Sequence, residues 1–209
     1  MKGPSRSNKA EIIAVIGASG SGKTSYVMRE IKRRRPRRLL VWDRKGEFAA
    51  EGYADPVENL GEVARMLVAA GRNGAFRIAY RPNGGEIEMR KHFDLFCRMA
   101  FRVKSLVLIA EELADVTTAT HAVQGWREVT SQGRSEGLTV YGLTQQPASV
   151  DKHFFGNCSS IWCGRINFKA HLRTMASAMD VTEDEIRRLT PLHFYYRDLA
   201  TGKTRAGKL

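Results

Sequence analysis

Short, solidly apolar runs alternate along the chain with longer segments whose apolar residues recur every three or four positions. The runs in EIIAVIG (11–17), RLLVWD (38–43), SLVLIAEE (105–112), LTVYGLTQQP (138–147) and SSIWCGRI (159–166) predict strands buried on both faces. FRIAYRP (76–82) alternates and predicts one more. Helical spacing covers about 24–35, 57–71, 86–102 and 121–134, with Pro36 ending the first and Gly71 the second. Beyond residue 166, KAHLRTMASAM and TEDEIRRL predict two further helices. HFYYRDLATGKTRAG then predicts a hairpin closed by the turn ATGK. Apolar strands alternating with helices predict an α/β fold, its mainly parallel sheet covered on both faces. Without internal repeats or linkers, the pattern predicts one domain over 11–209. Residues 1–10 are expected to be a disordered basic lead-in.

Composition narrows the partner more than the fold. The 209 residues suffice for one sizeable core, and fractions of 43% hydrophobic and 27% charged are ordinary. The balance of 34 Lys and Arg against 22 Asp and Glu, a net +12, is not ordinary. It favours polyanions, nucleic acid first and acidic lipid second. The densest run, KRRRPRR (32–38), reads equally as a DNA-facing patch or as a solvated helix end complementing the dipole. Three cysteines make no disulfide framework, and Cys158 and Cys163 with His153 and His171 fit no zinc spacing. No apolar run reaches membrane length and the N-terminus lacks an apolar signal core, so a soluble intracellular protein is expected.

The first apolar run leads into Gly17-Ala18-Ser19-Gly20-Ser21-Gly22-Lys23-Thr24, followed by Ser25, a full match to G-x-x-x-x-G-K-[ST]. Glycines at these places let successive backbone N–H groups converge on a phosphate, and the helix that follows adds its positive end. Lys23 is expected to reach the β- and γ-oxygens of ATP, and the Thr24 hydroxyl to ligate Mg²⁺. The repeat TGKT at 201–204 is a decoy, because Arg197 stands where the first glycine is required. Hydrolysis also needs an acidic group for the metal and a base for the water. Glu111 and Glu112, directly after VLIA, supply both, Glu111 toward Mg²⁺ and Glu112 as general base. A kinase would avoid a water-activating glutamate, so the pair favours an ATPase.

Four segments taken together, IGASGSGKT, VWDRKGEF, LVLIAEELADV and GRSEGLTVYGLTQQPASVD, resemble the FtsK/HerA superfamily of DNA-pumping ATPases in the family's order. The resemblance covers residues 12 to about 166 and implies a three-layer RecA/FtsK-like P-loop NTPase fold. It implies that Gln145 contacts the γ-phosphate and that Arg134 is an arginine finger entering a neighbour's site, with Arg165 the second choice. Such a finger implies a ring, a hexamer by resemblance. The sequence departs from the family at Glu111, where Asp is usual, and at Gln146, where Arg is usual. Asp43 and Glu47 fall where the family places acids near the nucleotide. The compact length is similar to genome-packaging ATPases of membrane-containing viruses with double-jelly-roll capsids, such as tectiviruses. That implies pumping of double-stranded DNA into a preformed capsid, in the infected cell's cytoplasm or at the virion's packaging vertex, beside vertex or viral membrane proteins. The alternatives are a related motor for phage assembly or plasmid transfer, and a non-motor P-loop kinase. Sequence-independent DNA contacts are expected among Arg72, Arg81, Lys91, Arg102 and Lys104.

Overall fold

A computed structural model of the chain describes residues 10–209; the lead-in expected over 1–10 lies outside them except for Ala10. The first apolar run forms β1 (Ile12–Ile16), every residue of it buried. Helix α1 (Lys23–Arg34) follows, with Val27 and Ile31 turned inward. It starts one residue earlier than the sequence pattern suggested and stops one earlier. Arg35 turns left-handed at φ 46°, because Pro36 excludes the preceding residue from a right-handed helix. Next come β2 (Arg38–Trp42), the four-residue α2 (Glu47–Ala50) and β3 (Asp55–Val57). Then follow α3 (Leu60–Ala70), β4 (Phe76–Tyr80), α4 (Glu86–Val103) and β5 (Val107–Ala110). The second half holds α5 (Gln124–Gln132), β6 (Thr139–Thr144), α6 (Lys152–Asn157), β7 (Ser160–Cys163), α7 (Lys169–Met179) and α8 (Glu183–Arg187). Strands β8 (His193–Asp198) and β9 (Thr204–Lys208) make the expected C-terminal hairpin.

Among the described residues the strands form one sheet in the order β3-β4-β2-β5-β6-β1-β7-β8-β9. β3 to β7 pair in parallel, and the hairpin joins β7 antiparallel, with Trp162 opposite Tyr196. Alternate residues of each strand face opposite layers, which makes the fold three-layered as expected. Ile13, Val15, Leu39, Val41 and Ile109 meet Val27 and Ile31 of α1 and Phe48 of α2. Ile12, Ala14, Leu40, Trp42 and Leu108 meet the helices of the second face, including Phe93 and Phe96 of α4 and Trp126 of α5. α4 is amphipathic because Met89, Phe93, Phe96, Cys97 and Ala100 share one stripe, the spacing that marked it in the sequence.

Elements α2, β3 and α6 carry no sequence signal because each is short and held by its neighbours. Val57 belongs to edge strand β3, so the helix expected from 57 begins only at Leu60, with Asn59 accepting from Glu62 N. The helix expected over 121–134 spans only Gln124–Gln132, since Thr118 and His121 close a tight turn before it. The strand expected over 159–166 stops at Cys163, where the chain bends toward the glycine-rich turn and Arg165 O accepts from Ala18 N at 2.7 Å. Two of the six cations in the KRRRPRR run are ion-paired, and a third is held by backbone carbonyls. Arg33 and Arg34 pair with Glu30, Arg34 also reaches Glu11, and Arg38 donates to the carbonyls of Arg72 and Val103.

Candidate functional site

The glycine-rich turn lies where β1 ends and α1 begins, at the carboxyl edge of the parallel strands. Gly22, the residue before α1, sits at φ 99°, a conformation open to glycine at little cost. Lys23 is buried and donates from Nζ to Gly17 O at 2.8 Å and Ala18 O at 3.1 Å. Its pKa is lowered to about 8 because burial penalises the ammonium, a penalty the nearby Glu112 and Glu111 partly offset. Ser21 is buried too, and its Oγ finds no hydrogen-bond partner among the described residues. The cradle thus holds a desolvated cation and an orphaned hydroxyl in the place where the sequence expected phosphate.

β5 is not the neighbour of β1; β6 lies between them. Its parallel register brings Thr144 beside Ile16 on one side and Gly142 beside Ala110 on the other. The strand end therefore delivers Gln145 between the turn and the acidic pair. Gly142 is required there, since a methyl group on it would meet Phe154 Cζ at 2.5 Å and Leu113 Cδ1 at 2.8 Å. That close approach seats Leu113, and with it the backbone carrying Glu112.

The two glutamates have opposite electrostatics. Glu111 is buried, its N–H still donating to Trp42 O and its Oε2 accepting from Lys45 N at 3.3 Å. Burial, and then the Asp43 carboxylate, push its pKa up to about 8. Glu112 turns left-handed at φ 47° and projects its carboxylate toward Gln145. Its Oε1 accepts from Gln145 Nε2 at 2.8 Å and from Lys45 Nζ at 2.5 Å. Burial raises the Glu112 pKa, but the Lys45 and Gln145 hydrogen bonds outweigh it and hold the carboxyl below its ordinary value.

Lys45 is the residue that sequence reading passed over, although it lies inside VWDRKGEF. Nothing in its local pattern separates it from a surface lysine, and only the β2–β5 pairing carries it to Glu112. Arg44 bridges the same two loops through Asp115 at 3.2 Å. Asp43 is buried, and its oxygens accept from Phe48 N and Ala49 N at the start of α2. Glu47 is half-buried in the first turn of α2.

The structure brings Lys23, Thr24, Glu111, Glu112 and Gln145 to one edge of the sheet. It does not bring Arg134 there. That exposed residue lies in the turn before β6, at the amino edge, a full strand length of roughly 20 Å away. Arg165 runs beside the cradle through its own backbone. The five basic residues expected to contact DNA do not form one patch. Arg72 follows α3, Arg102 lies in the last turn of α4 and Lys104 follows it, all at the amino edge; Lys91 lies in the first half of α4, and Arg81 follows β4 at the carboxyl edge near Gly46.

A phosphate-type turn on the first strand, with an acidic pair two strands away across a polar strand end, defines a P-loop nucleoside triphosphatase architecture. No family model matches the chain. Protein P9 of Pseudoalteromonas phage PM2 is 31% identical over 180 residues, 84% of this chain and 78% of that protein. The genome packaging NTPase B204 of Sulfolobus turreted icosahedral virus 2, solved in complex with AMPPCP, superposes with a TM-score of 0.72 at 14% identity, covering 95% and 97% of the two chains. VirB4 of Thermoanaerobacter pseudethanolicus gives 0.72 at 9% identity, covering 100% and 91%. The chain belongs to one family with the PM2 phage protein, and its fold is that of the P-loop ATPases among these solved structures.

Proposed function

We propose that the chain is an ATP-hydrolysing motor that drives double-stranded DNA into a preformed viral capsid. It would act as a ring, hexameric by family resemblance, at the packaging vertex in an infected cell. One observation carries the hydrolytic reading: Glu112, aligned by Gln145 and Lys45, stands across the end of β6 from the phosphate cradle. The packaging role draws support from B204, described as a genome packaging NTPase, from the phage origin of the P9 relative, and from the net charge of +12.

On this reading Lys23 exchanges the carbonyls of Gly17 and Ala18 for the β- and γ-oxygens of ATP. The phosphates restore the full charge that burial penalises in their absence. Among the described residues no cluster of three or more ligating side chains exists. This suits a magnesium ion, which takes most of its shell from phosphates and water and needs only one or two protein oxygens. Thr24 and Glu111 would hold it, and Glu111, desolvated beside Asp43, has the excess negative potential that a cation relieves. When bound, the ion neutralises charge on the phosphates. Glu112 is kept ionised by its two partners and takes the proton of the attacking water. Gln145 links that carboxylate to the end of β6, so loss of the terminal phosphate is felt by the strand. Arg134, on the far edge of its own subunit, would complete a neighbour's site.

ATPase activity with and without duplex DNA tests the proposal. Lys23→Ala is expected to lose nucleotide binding, and Glu112→Gln to bind nucleotide yet hydrolyse it at least a hundredfold more slowly. Arg134→Ala subunits mixed with wild type should depress activity more than their share of the mixture. Activity that tracks only the wild-type fraction would sink the finger, and DNA-independent activity would sink the motor.

A further inference from the structure

Helices α3 and α4 leave an apolar slot of about 460 Å³ between their carboxyl-terminal halves, at the amino edge of the sheet. Leu67 and Met99 line its floor, and Val68 and Leu95, 82% and 52% exposed, stand at its mouth. Its charges are all cationic, Arg38, Arg72, Arg98 and Arg102, with no carboxylate among the lining residues. Two of the four are committed elsewhere: Arg38 caps the carbonyls of Arg72 and Val103, and Arg98 pairs with Asp94. Arg72 and Arg102 are exposed and make no ion pair among the described residues. The stretch before Ala10 carries Lys2, Arg6 and Lys9 and no acid, so it has no charge to offer this rim.

The opposite end of α4 has the complementary chemistry. Ile87 projects from its first turn, 75% exposed, between Glu86 and Glu88. Both glutamates are exposed; Glu86 pairs with Arg90, and Glu88 stands 3.9 Å from His92, surface pairs that exchange at little cost. Gly84 and Gly85 precede them, so no bulky side chain blocks a close approach. Within one copy the two ends cannot meet, because Ile87 and Arg102 lie roughly 22 Å apart along one rigid helix.

We infer that Ile87 of one copy docks in the α3–α4 slot of the next, its flanking glutamates meeting Arg72 and Arg102. The inference rests on the ring reading above and supplies the contact that builds it. Each copy has one projection and one slot, so the contact is head-to-tail and closes only as a ring. It runs from the amino edge of one copy to the carboxyl edge of its neighbour. Glu136, two residues past Arg134, pairs with Lys104 at the end of α4 at 2.6 Å. The turn carrying Arg134 therefore lies beside the slot and turns toward the same neighbour's carboxyl edge, where the cradle and Glu112 stand. A nucleic-acid backbone fits the slot less well, since phosphates would use the rim and leave the apolar mouth in water. A bilayer also fits less well, since no Trp or Tyr lines the slot to anchor it.

Sedimentation velocity of the full chain tests this. Val68→Asp and Ile87→Asp should each weaken self-association at least tenfold, by placing a carboxylate in an apolar contact. Both residues are so exposed that the fold should be spared, which unchanged thermal melting checks. An equimolar mixture of the two variants should give dimers and nothing larger, because one intact projection and one intact slot remain. Variants that assemble as the wild type does, or a mixture that stays monomeric, would overturn the docking and leave the ring standing. A wild-type chain still monomeric at about 1 mM, where even a millimolar contact would show, would overturn the ring as well. Flotation with vesicles of phosphatidylcholine and phosphatidylserine addresses the rival occupant. Vesicle binding lost in Val68→Asp while assembly persists would make the slot a lipid seat and overturn the docking.

Discussion

Replacing Lys23 with Met should make the nucleotide-free protein more stable. The side chain is 7% exposed and its pKa falls from 10.5 to about 8, mainly through burial. A drop of that size corresponds to roughly 3 kcal/mol against the charged form at neutral pH. Methionine removes this cost but deprives Gly17 O and Ala18 O of their donor, at about 1 kcal/mol each; Ala18 O keeps its bond from Ser21 N. The expected net gain is about 1–2 kcal/mol, or a melting temperature higher by roughly 2–6 °C for a chain of this size. The sign reverses usefully with pH. Between about 8 and 10.5 the unfolded wild type binds more protons at this lysine than the folded one, so wild-type stability rises with pH through that window and the variant's gain shrinks. Urea denaturation at pH 7 and pH 9.5, without nucleotide, measures both effects. Millimolar ATP should then reverse the order by stabilising only the wild type. A variant less stable than wild type at pH 7, or a gap indifferent to pH, would refute the reasoning.

Other consequences can be measured separately. Gly142→Val should cost about 2–3 kcal/mol by urea denaturation, because Phe154 and Leu113 must both give way, and should lower ATPase through the displaced Glu112 loop. A double-mutant cycle of Lys45→Met with Glu112→Gln should show about 1 kcal/mol of coupling, modest because Lys45 is 40% exposed. Zero coupling would dissolve the clamp. Asp43→Ala should destabilise by about 1–2 kcal/mol through the lost bonds to Phe48 N and Ala49 N, with thermal melting as the measure. Duplex-DNA affinity should fall steeply and log-linearly with salt, and a flat salt profile would remove the phosphate-contact model.

What the sequence disclosed was whatever is carried by contiguous residues. The buried strands, the cradle and the acidic pair follow from runs of a few positions, and the helical stripe of α4 from its own periodicity. What it withheld depends on strand order. That Lys45 meets Glu112, that β6 separates the cradle from the acids, and that Asp43 serves the start of α2 emerge only when distant segments pair. The approach of Leu192 and Leu209 to Gly22 was hidden for the same reason, since they lie 170 and 187 positions from it and reach it only through the hairpin's placement beside β7. Short elements such as β3 were illegible because three residues carry no period.

Neither margin of the sheet welcomes another strand. At one end Pro56, at the centre of β3, has no N–H to offer; at the other, β9 carries Arg205 and Lys208, and like charges would face each other if two copies paired. Copies of this chain are thereby steered away from sharing backbone hydrogen bonds. A ring built from them would be sealed by side chains and loops, contacts that slide and re-form more readily than a strand ladder and so suit subunits that must shift at each turnover.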